Sequence, residues 1–183
     1  TAIENGFARY WYPHYLATVV IAVDRDQTDI ELKGWEDLRR ADEAVGYLEY
    51  RSGPYNDRMI YAALCHGYIK GSTLNRKGAK YIRDLRESGR FGVDEEDAPI
   101  LVCFDCHVAA LVDEGRNLEI VIPEEGTLTF EKGLVSTEPL QFPEGLEERL
   151  MDAGLRLTDG RSSHPAYPAE ADYVYGQRIT NLS

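Results

Sequence analysis

The sequence predicts an α/β fold with a mostly parallel sheet flanked by helices, because short apolar segments alternate with helical segments. Two observations support this prediction most strongly. The run "LATVVIAV" (16–23) is continuous, apolar and rich in β-branched residues, which is typical of a buried strand. The run "ILVCF" (100–104) is followed at once by "DCHVAAL", so a second buried strand is expected to lead directly into a helix.

In the first half of the chain, the apolar pattern changes repeatedly between strand and helix character. Residues 1–15 are aromatic and show no clear period, and the first strand is predicted at 17–23. The expected elements that follow are a short helix at 34–44, a strand at 45–50, a helix at about 56–69 and a helix at 74–88. Ile60, Leu64 and Tyr68 share one face of the first long helix, and Ala79, Ile82 and Leu85 share one face of the second, which ends near Gly89.

The second half of the chain repeats this alternation and ends in a segment without period. A strand at 100–104, a helix at about 106–113, strands at 118–122 and 127–136, and a helix at 143–154 are predicted in that order. Pro123 ends the strand before it, because proline cannot donate to a sheet hydrogen bond. The tail after residue 158 is rich in Pro, Tyr and Ser, and we expect it to be irregular.

Composition excludes two classes of function. The chain has 183 residues and a net charge of −12, so nucleic acid is not expected as a partner, since binding it requires Lys and Arg to neutralise phosphates. Its longest apolar run is far shorter than the roughly 18 residues of a membrane span. The chain begins at Thr1 and lacks the apolar stretch of a signal peptide, which fits a processed or excised segment.

The segment Cys103-Phe104-Asp105-Cys106-His107 matches the C-x-x-C-H pattern of covalent haem attachment and leaves four interpretations open. Haem would use both sulfurs and ligate iron through His107. A redox dithiol would form between Cys103 and Cys106, and Cys106 at a helix N-terminus would have a lowered pKa. Zinc would need Cys65 or His66 as a further ligand. Alternatively, Cys103 is a small core residue at a strand end, with Asp105 as the helix N-cap.

Two loops of the predicted sheet are candidates for a binding site. Ligands of parallel α/β sheets lie at the carboxyl ends of strands, where loops lead into helix N-termini. Residues 52–56, which include Tyr55 and Asn56, form one such loop, and Asp105, Cys106 and His107 form the other. Both loops offer backbone N–H groups that can bind an anion or a carbonyl oxygen.

Several segments occur in a distinctive order: "GWEDL", a strand, a turn, a helix ending in "GY", a strand running into a helix, and "LEIVIPEEGTLTFEKGLV". This order resembles the second lobe of the type 2 periplasmic solute-binding proteins, especially the polyamine-binding group. The match covers roughly residues 12–136, and "IVIPEEGTLTF" is its most specific part. The resemblance implies that Glu125 and Phe130 contact the ligand, with Phe130 stacking on it. His107 and Lys132 stand where the family often has acids, which implies a neutral or anionic solute rather than a polyamine.

These observations predict that the chain binds a small solute without changing it chemically. No G-x-S-x-G, P-loop or G-x-G-x-x-G motif is present, and we expect neither catalysis, a cofactor nor a bound metal. The resemblance implies an extracytoplasmic protein that serves an ABC importer or a membrane receptor. Residues 1–136 are expected to form one α/β lobe, and residues 137–183 a C-terminal helix and irregular tail that pack on it or on a further lobe. The alternative is an extracytoplasmic redox or haem-carrying domain that uses Cys103, Cys106 and His107.

Overall fold

The computed structural model describes residues 3–47, 69–70, 73–74, 76–93, 97–168 and 176–179. The strands are β1 (Tyr10–Asp24), β2 (Val45–Tyr47), β3 (Ile69–Lys70), β4 (Thr73–Leu74), β5 (Phe91–Val93), β6 (Ile100–Phe104), β7 (Leu118–Val121), β8 (Thr127–Ser136), β9 (Arg156–Leu157) and β10 (Gly176–Ile179). The helices are α1 (Trp35–Arg40), α2 (Arg76–Glu87), α3 (Asp105–Asp113) and α4 (Leu146–Asp152).

One eight-stranded sheet organises the described residues, and it confirms the α/β prediction. Its order is β10-β8-β1-β6-β2-β5, with β7 and β9 also paired to β1. Strand β1 is antiparallel to β6, β7, β8 and β9, whereas β2 is parallel to β5 and β6, and β10 is parallel to β8. All described strands of this sheet except β1 therefore run in one direction. The sheet is mostly parallel with one reversed strand at its centre.

Strand β1 is long enough to pair with different neighbours along its two halves. Its second half lies between β6 and β7, and Val20 faces Cys103 in that ladder. Its first half lies between β8 and β9, with an irregularity between Pro13 and Tyr15. Residues 16–24 are all buried, because a central strand is covered on both faces. The prediction of a strand at 17–23 found this half, but the aromatic segment before it is also strand.

The sheet buries a separate apolar core on each face. Strand alternation sends Ile100, Val102 and Phe104 of β6 to one side, and Leu101 and Cys103 to the other. The first core also contains side chains from β1, α1, α2 and β8, including Trp35, Leu38, Tyr81, Leu85 and Phe130. The second core contains side chains of β1, β7 and α3, including Val20, Ala22, Val108, Leu118 and Ile120.

Several sequence predictions are shifted or missing in the described structure. The helix predicted at 34–44 ends at Arg40, and the helix predicted at 143–154 covers only Leu146–Asp152. Strands β3, β4, β5, β9 and β10 were not predicted, and β10 interrupts the expected irregular tail. Ile69 and Leu74, predicted as helix ends, lie in β3 and β4, and the helix predicted at 74–88 covers Arg76–Glu87. The helix predicted at about 56–69 lies almost wholly outside the described residues. Strand β9 pairs with β1 and β10 pairs with β8, so parts of the segment 137–183 join the same sheet.

None of the helices in the described ranges has the length and apolar character of a membrane span.

The placement of the two described cysteines on different cores gives a test of the C-x-x-C-H segment. We expect Cys103→Ser to lower the free energy of unfolding by about 1–3 kcal/mol, because it buries a hydroxyl among apolar side chains. Cys106→Ser should retain the fold and lose less, since Cys106 is partly exposed at the margin of the first core. Urea unfolding measures both values. Equal losses for the two variants would contradict this assignment.

Candidate functional site

The candidate site lies at the edge of the sheet where the parallel strands β2 and β6 end. Tyr47 is in register with Val102, so the two carboxyl ends lie side by side. Strand β6 ends at Phe104 and α3 begins at the next residue, which brings the first turn of α3 to this edge. Tyr55 and Asn56, which the sequence predicts to lie in a loop after β2, are outside the described residues, so their role stays a prediction.

Asp105 lies at the centre of this edge, but its carboxylate points into the protein. The residue is fully buried and is the first residue of α3, and the N-cap position belongs to Phe104 rather than to Asp105 as the sequence suggested. Oδ1 of Asp105 accepts hydrogen bonds from the backbone N–H of Cys106 (2.9 Å) and of Thr18 (2.9 Å). The carboxylate therefore joins the start of α3 to strand β1.

Arg156 of β9 supplies the opposite charge to this buried carboxylate. Its Nη2 lies 3.0 Å from Oδ2 of Asp105, and its side chain is 5% exposed. The same nitrogen donates to Oγ1 of Thr18, which lies 2.9 Å from Oγ1 of Thr129. Burial raises the pKa of Asp105, and the Arg156 charge and the backbone donors oppose that rise. The four side chains form a buried polar network that connects β1, α3, β8 and β9.

Beside this network lies a group that we call the Lys132 cluster, in which Tyr15, Cys106 and Lys132 are partly exposed and Phe104 and Phe130 are buried. Lys132 is in register with Tyr15 on the β1–β8 ladder. Its Nζ lies 5.1 Å from the centroid of the Phe104 ring and 5.9 Å from that of Phe130. An ammonium at these distances from ring faces is attracted to their π electrons.

Burial changes the protonation chemistry of the Lys132 cluster. It lowers the pKa of Lys132 and raises the pKa of Tyr15. It also raises the pKa of Cys106 to about 12, and the neighbouring Asp105 carboxylate adds to that rise, while Lys132 opposes it. The expectation of a lowered Cys106 pKa at the helix N-terminus is therefore wrong: burial and Asp105 outweigh the helix N–H groups. Cys106 is a neutral thiol at physiological pH.

The C-x-x-C-H segment is divided between the two faces of the sheet. Cys103 is fully buried in the second core, whereas Cys106 packs against the first core. The ring of His107 is half-buried and lies edge-on to Phe104, with 5.8 Å between ring centroids. Among the described residues, no group of three His, Cys, Asp or Glu side chains is arranged to hold a metal ion. These positions fit the interpretation of Cys103 as a core residue.

Phe130 and Glu125 have internal contacts in the structure. Phe130 is 1% exposed and lies edge-on to Phe104, with 5.9 Å between centroids. Its stacking on a solute stays a prediction, and it would require the neighbouring side chains to open. Glu125 accepts hydrogen bonds from the backbone N–H groups of Trp35 and Glu36 (3.0 Å each), which are at the start of α1. Its geometry is that of a helix-capping carboxylate, while a ligand contact by Glu125 stays a prediction.

The structure thus brings Cys106, His107, Phe130 and Lys132 together and adds Tyr15 and Phe104 to them. Period-two alternation could have found Tyr15, because it shares a strand face with Ala17 and Val19 of the first core. Arg156 and Thr18 were also missed. Arg156 is 51 residues from Asp105, and nothing in its local sequence indicates a buried ion pair.

Solved structures with a similar fold include periplasmic binding proteins. AfuA from Actinobacillus pleuropneumoniae matches with a TM-score of 0.58 at 16% identity, over 87% of this chain and 58% of AfuA. The periplasmic binding protein P5PA gives 0.60 at 12% identity, over 93% of this chain and 62% of P5PA. The sulfate-binding protein SubI from Mycobacterium tuberculosis H37Rv gives 0.57 at 17% identity, over 92% of this chain and 64% of SubI.

The chain has the fold of the periplasmic solute-binding proteins, and the resemblance drawn from the sequence is confirmed at the level of the fold. It spans less than two thirds of the length of each of these three structures. No protein-family model matches the sequence. None of the curated proteins compared with it matches either.

The buried ion pair gives a test with a defined pH dependence. We expect Arg156→Met to lower the free energy of unfolding by about 3–5 kcal/mol near pH 7, because it leaves the Asp105 carboxylate buried without a counter-charge. The variant should raise the native pKa of Asp105 further above its unfolded value. A carboxyl with a raised native pKa favours folding below its unfolded pKa, and this contribution is lost as the pH rises through the native pKa.

The deficit of Arg156→Met relative to the parent chain should therefore shrink as the pH falls toward the ordinary Asp pKa of 3.8. Urea unfolding at several pH values measures this deficit. Arg149→Met is the control, because Arg149 is an exposed arginine on α4 and should change stability by less than about 0.5 kcal/mol. A deficit that is constant or grows at acid pH would refute the charge argument.

The contacts of Glu125 predict a structural effect for a residue that the family resemblance assigns to the ligand. We expect Glu125→Ala to lower the free energy of unfolding by about 0.5–2 kcal/mol, because two N–H groups at the start of α1 lose their acceptor. Glu124→Ala is the matched control, since Glu124 is exposed and its backbone N–H bond to Lys33 is unaffected. If both variants lose the same stability, Glu125 does not cap α1.

Proposed function

We propose that this chain is the solute-binding part of an extracytoplasmic protein, and that it binds a small neutral or anionic molecule without changing it. The observation that carries the proposal is the position of Lys132. Its ammonium lies at the sheet edge beside the first turn of α3, where Cys106 and His107 are partly exposed. A fixed positive charge next to helix N–H groups favours an anion or the oxygen atoms of a polar solute.

The aromatic surroundings of Lys132 strengthen the interaction of its ammonium group with an anion. Phe104 and Phe130 hold the ammonium over their rings, and burial lowers its pKa, so it has fewer water contacts than a surface lysine. An anion that meets a partly desolvated ammonium interacts more strongly than it would in bulk water. A polyamine would instead meet like charge at this edge, and no carboxylate of the Lys132 cluster would offset that repulsion within the described residues.

The names of structures with the same fold support a small-molecule ligand but leave its charge open. AfuA was solved with fructose-6-phosphate, and SubI is a sulfate-binding protein. A putative spermidine/putrescine transporter protein from Listeria monocytogenes also shares the fold, with a TM-score of 0.50. The fold therefore accommodates anions and cations alike, and the preference for a neutral or anionic solute rests on Lys132 and His107.

The proposal extends to the protein's partner and location. Proteins with this fold include ABC-transporter components, and we propose that the full protein delivers its solute to a membrane permease or presents it to a membrane receptor outside the cytoplasm. Because the chain spans less than two thirds of its structural relatives, a further lobe in a longer chain would supply the remaining contacts. Binding by this chain is then expected to be weak, since part of the contact surface is absent.

Calorimetry with a defined panel tests the charge preference. We expect sulfate, phosphate or fructose-6-phosphate to bind more tightly than putrescine or spermidine at concentrations up to about 10 mM. Lys132→Ala should weaken the tightest anion at least about tenfold, because it removes the charge beside α3. Lys80→Ala is the control, since Lys80 is exposed on α2 and paired with Asp84. Tighter binding of a polyamine whose affinity changes in Lys132→Ala, no binding of any anion, or equal effects of the two variants on the anion would reject the proposal.

A further inference from the structure

A cavity lies away from the Lys132 cluster, between the first half of β1 and helix α4. Its volume is about 480 Å³, which is within the range of small-molecule sites. Residues 12–14 of β1 form one wall, and the segment from Phe142 through the start of α4 forms another. Residues 157–159, at the end of β9 and in the turn after it, close the third side. No member of the Lys132 cluster is among the described residues that line it.

Three aromatic rings meet in this cavity at steep angles. Phe142 lies edge-on to Tyr12, with 5.1 Å between centroids and 71° between planes. It also lies edge-on to His14, at 4.7 Å and 84°. The hydroxyl of Tyr12 accepts a hydrogen bond from the backbone N–H of Leu140 (2.8 Å), which fixes the ring against the chain segment that carries Phe142. These contacts link the three rings to one another, and the plane of Phe142 is steeply inclined to those of Tyr12 and His14.

The charges along the cavity are negative. Its described lining contains the carboxylates of Glu147, Glu148 and Asp159, and no lysine or arginine. Arg161, which is outside the lining, binds Glu147 (2.6 Å) and Asp159 (2.7 Å). Two of the three carboxylates thus share one positive charge, which leaves an excess of negative charge among these four side chains. The carboxylate of Glu148 lies over the start of α4 at Gly145, on the same wall of the cavity as Phe142.

We propose that this cavity binds a small organic cation of the quaternary or primary ammonium class. Aromatic faces attract ammonium groups through their π electrons, and the attraction increases when the cation leaves water. The excess carboxylate charge adds a Coulombic term of the same sign, and it opposes the entry of an anion. Apolar lining side chains such as Leu150 and Leu157 suit the methyl or methylene groups of such a cation.

This proposal is independent of the function proposed for the Lys132 cluster. The cavity and the cluster are built from different side chains, and their charge preferences are opposite. A cation that binds in the cavity should therefore be insensitive to Lys132. An anion that binds beside Lys132 should be insensitive to Glu148.

The test compares choline with 3,3-dimethyl-1-butanol, which has nearly the same shape and no charge. Isothermal titration calorimetry on the full chain should show choline binding at least about tenfold more tightly than the alcohol. Phe142→Ala and Glu148→Gln should each weaken choline binding several-fold. Both residues are exposed, so neither variant is expected to unfold the protein. Glu144→Gln changes charge equally in the same segment but outside the lining, and it should have no effect.

Two further measurements locate the bound probe. Choline should shift the amide NMR signals of Leu157 and Thr158, and Lys132→Ala should leave its affinity unchanged. Absence of choline binding, equal binding of the alcohol, or equal effects of Glu144→Gln and Glu148→Gln would each overturn the proposal. Loss of choline binding in Lys132→Ala would do the same, because it would place the cation at the other site.

Discussion

The buried Asp105 carboxylate is the contact on which the geometry of this sheet edge depends. A carboxylate with no solvent exposure is expensive to desolvate, and it persists because Arg156, Thr18 and the first turn of α3 surround it with donors. These donors come from three separate parts of the chain. Removing Arg156 leaves the carboxylate buried without a counter-charge, so the network links the positions of β1, α3 and β9.

The internal use of Asp105 determines which groups remain for a ligand. Its carboxylate already accepts the Cys106 N–H and is neutralised by Arg156, so it does not present negative charge at the surface of the site. Lys132 is then the charged side chain of the cluster. The neutral Cys106 thiol lies beside it, and the His107 ring lies against Phe104 of the same cluster. The Lys132 cluster therefore carries a positive charge, although the whole chain carries a net charge of −12.

Features with a local sequence signal could be predicted, and features that depend on long-range pairing could not. The β6–α3 junction is a fully apolar run followed by a helix, so the sequence predicted the strand with its observed bounds and the helix to within one residue. The first half of β1 was missed because its aromatic residues do not alternate with polar residues, and a proline interrupts the segment. Strand β9 has two residues, and its extended conformation depends on pairing with β1. Arg156 was missed for the same reason.

Strand β1 also connects the two proposed sites, whose proposed charge preferences are opposite. It pairs with other strands on both of its edges, and Tyr15, which belongs to the Lys132 cluster, is adjacent to His14, which lines the aromatic cavity. At physiological ionic strength the Debye length is about 8 Å, so beyond that distance exposed charges are largely screened. The net negative charge of the chain therefore affects mainly the rate at which an anion approaches, and the affinity depends on the few groups within contact distance. Charge placement around β1, rather than the total charge, therefore determines what each site can bind.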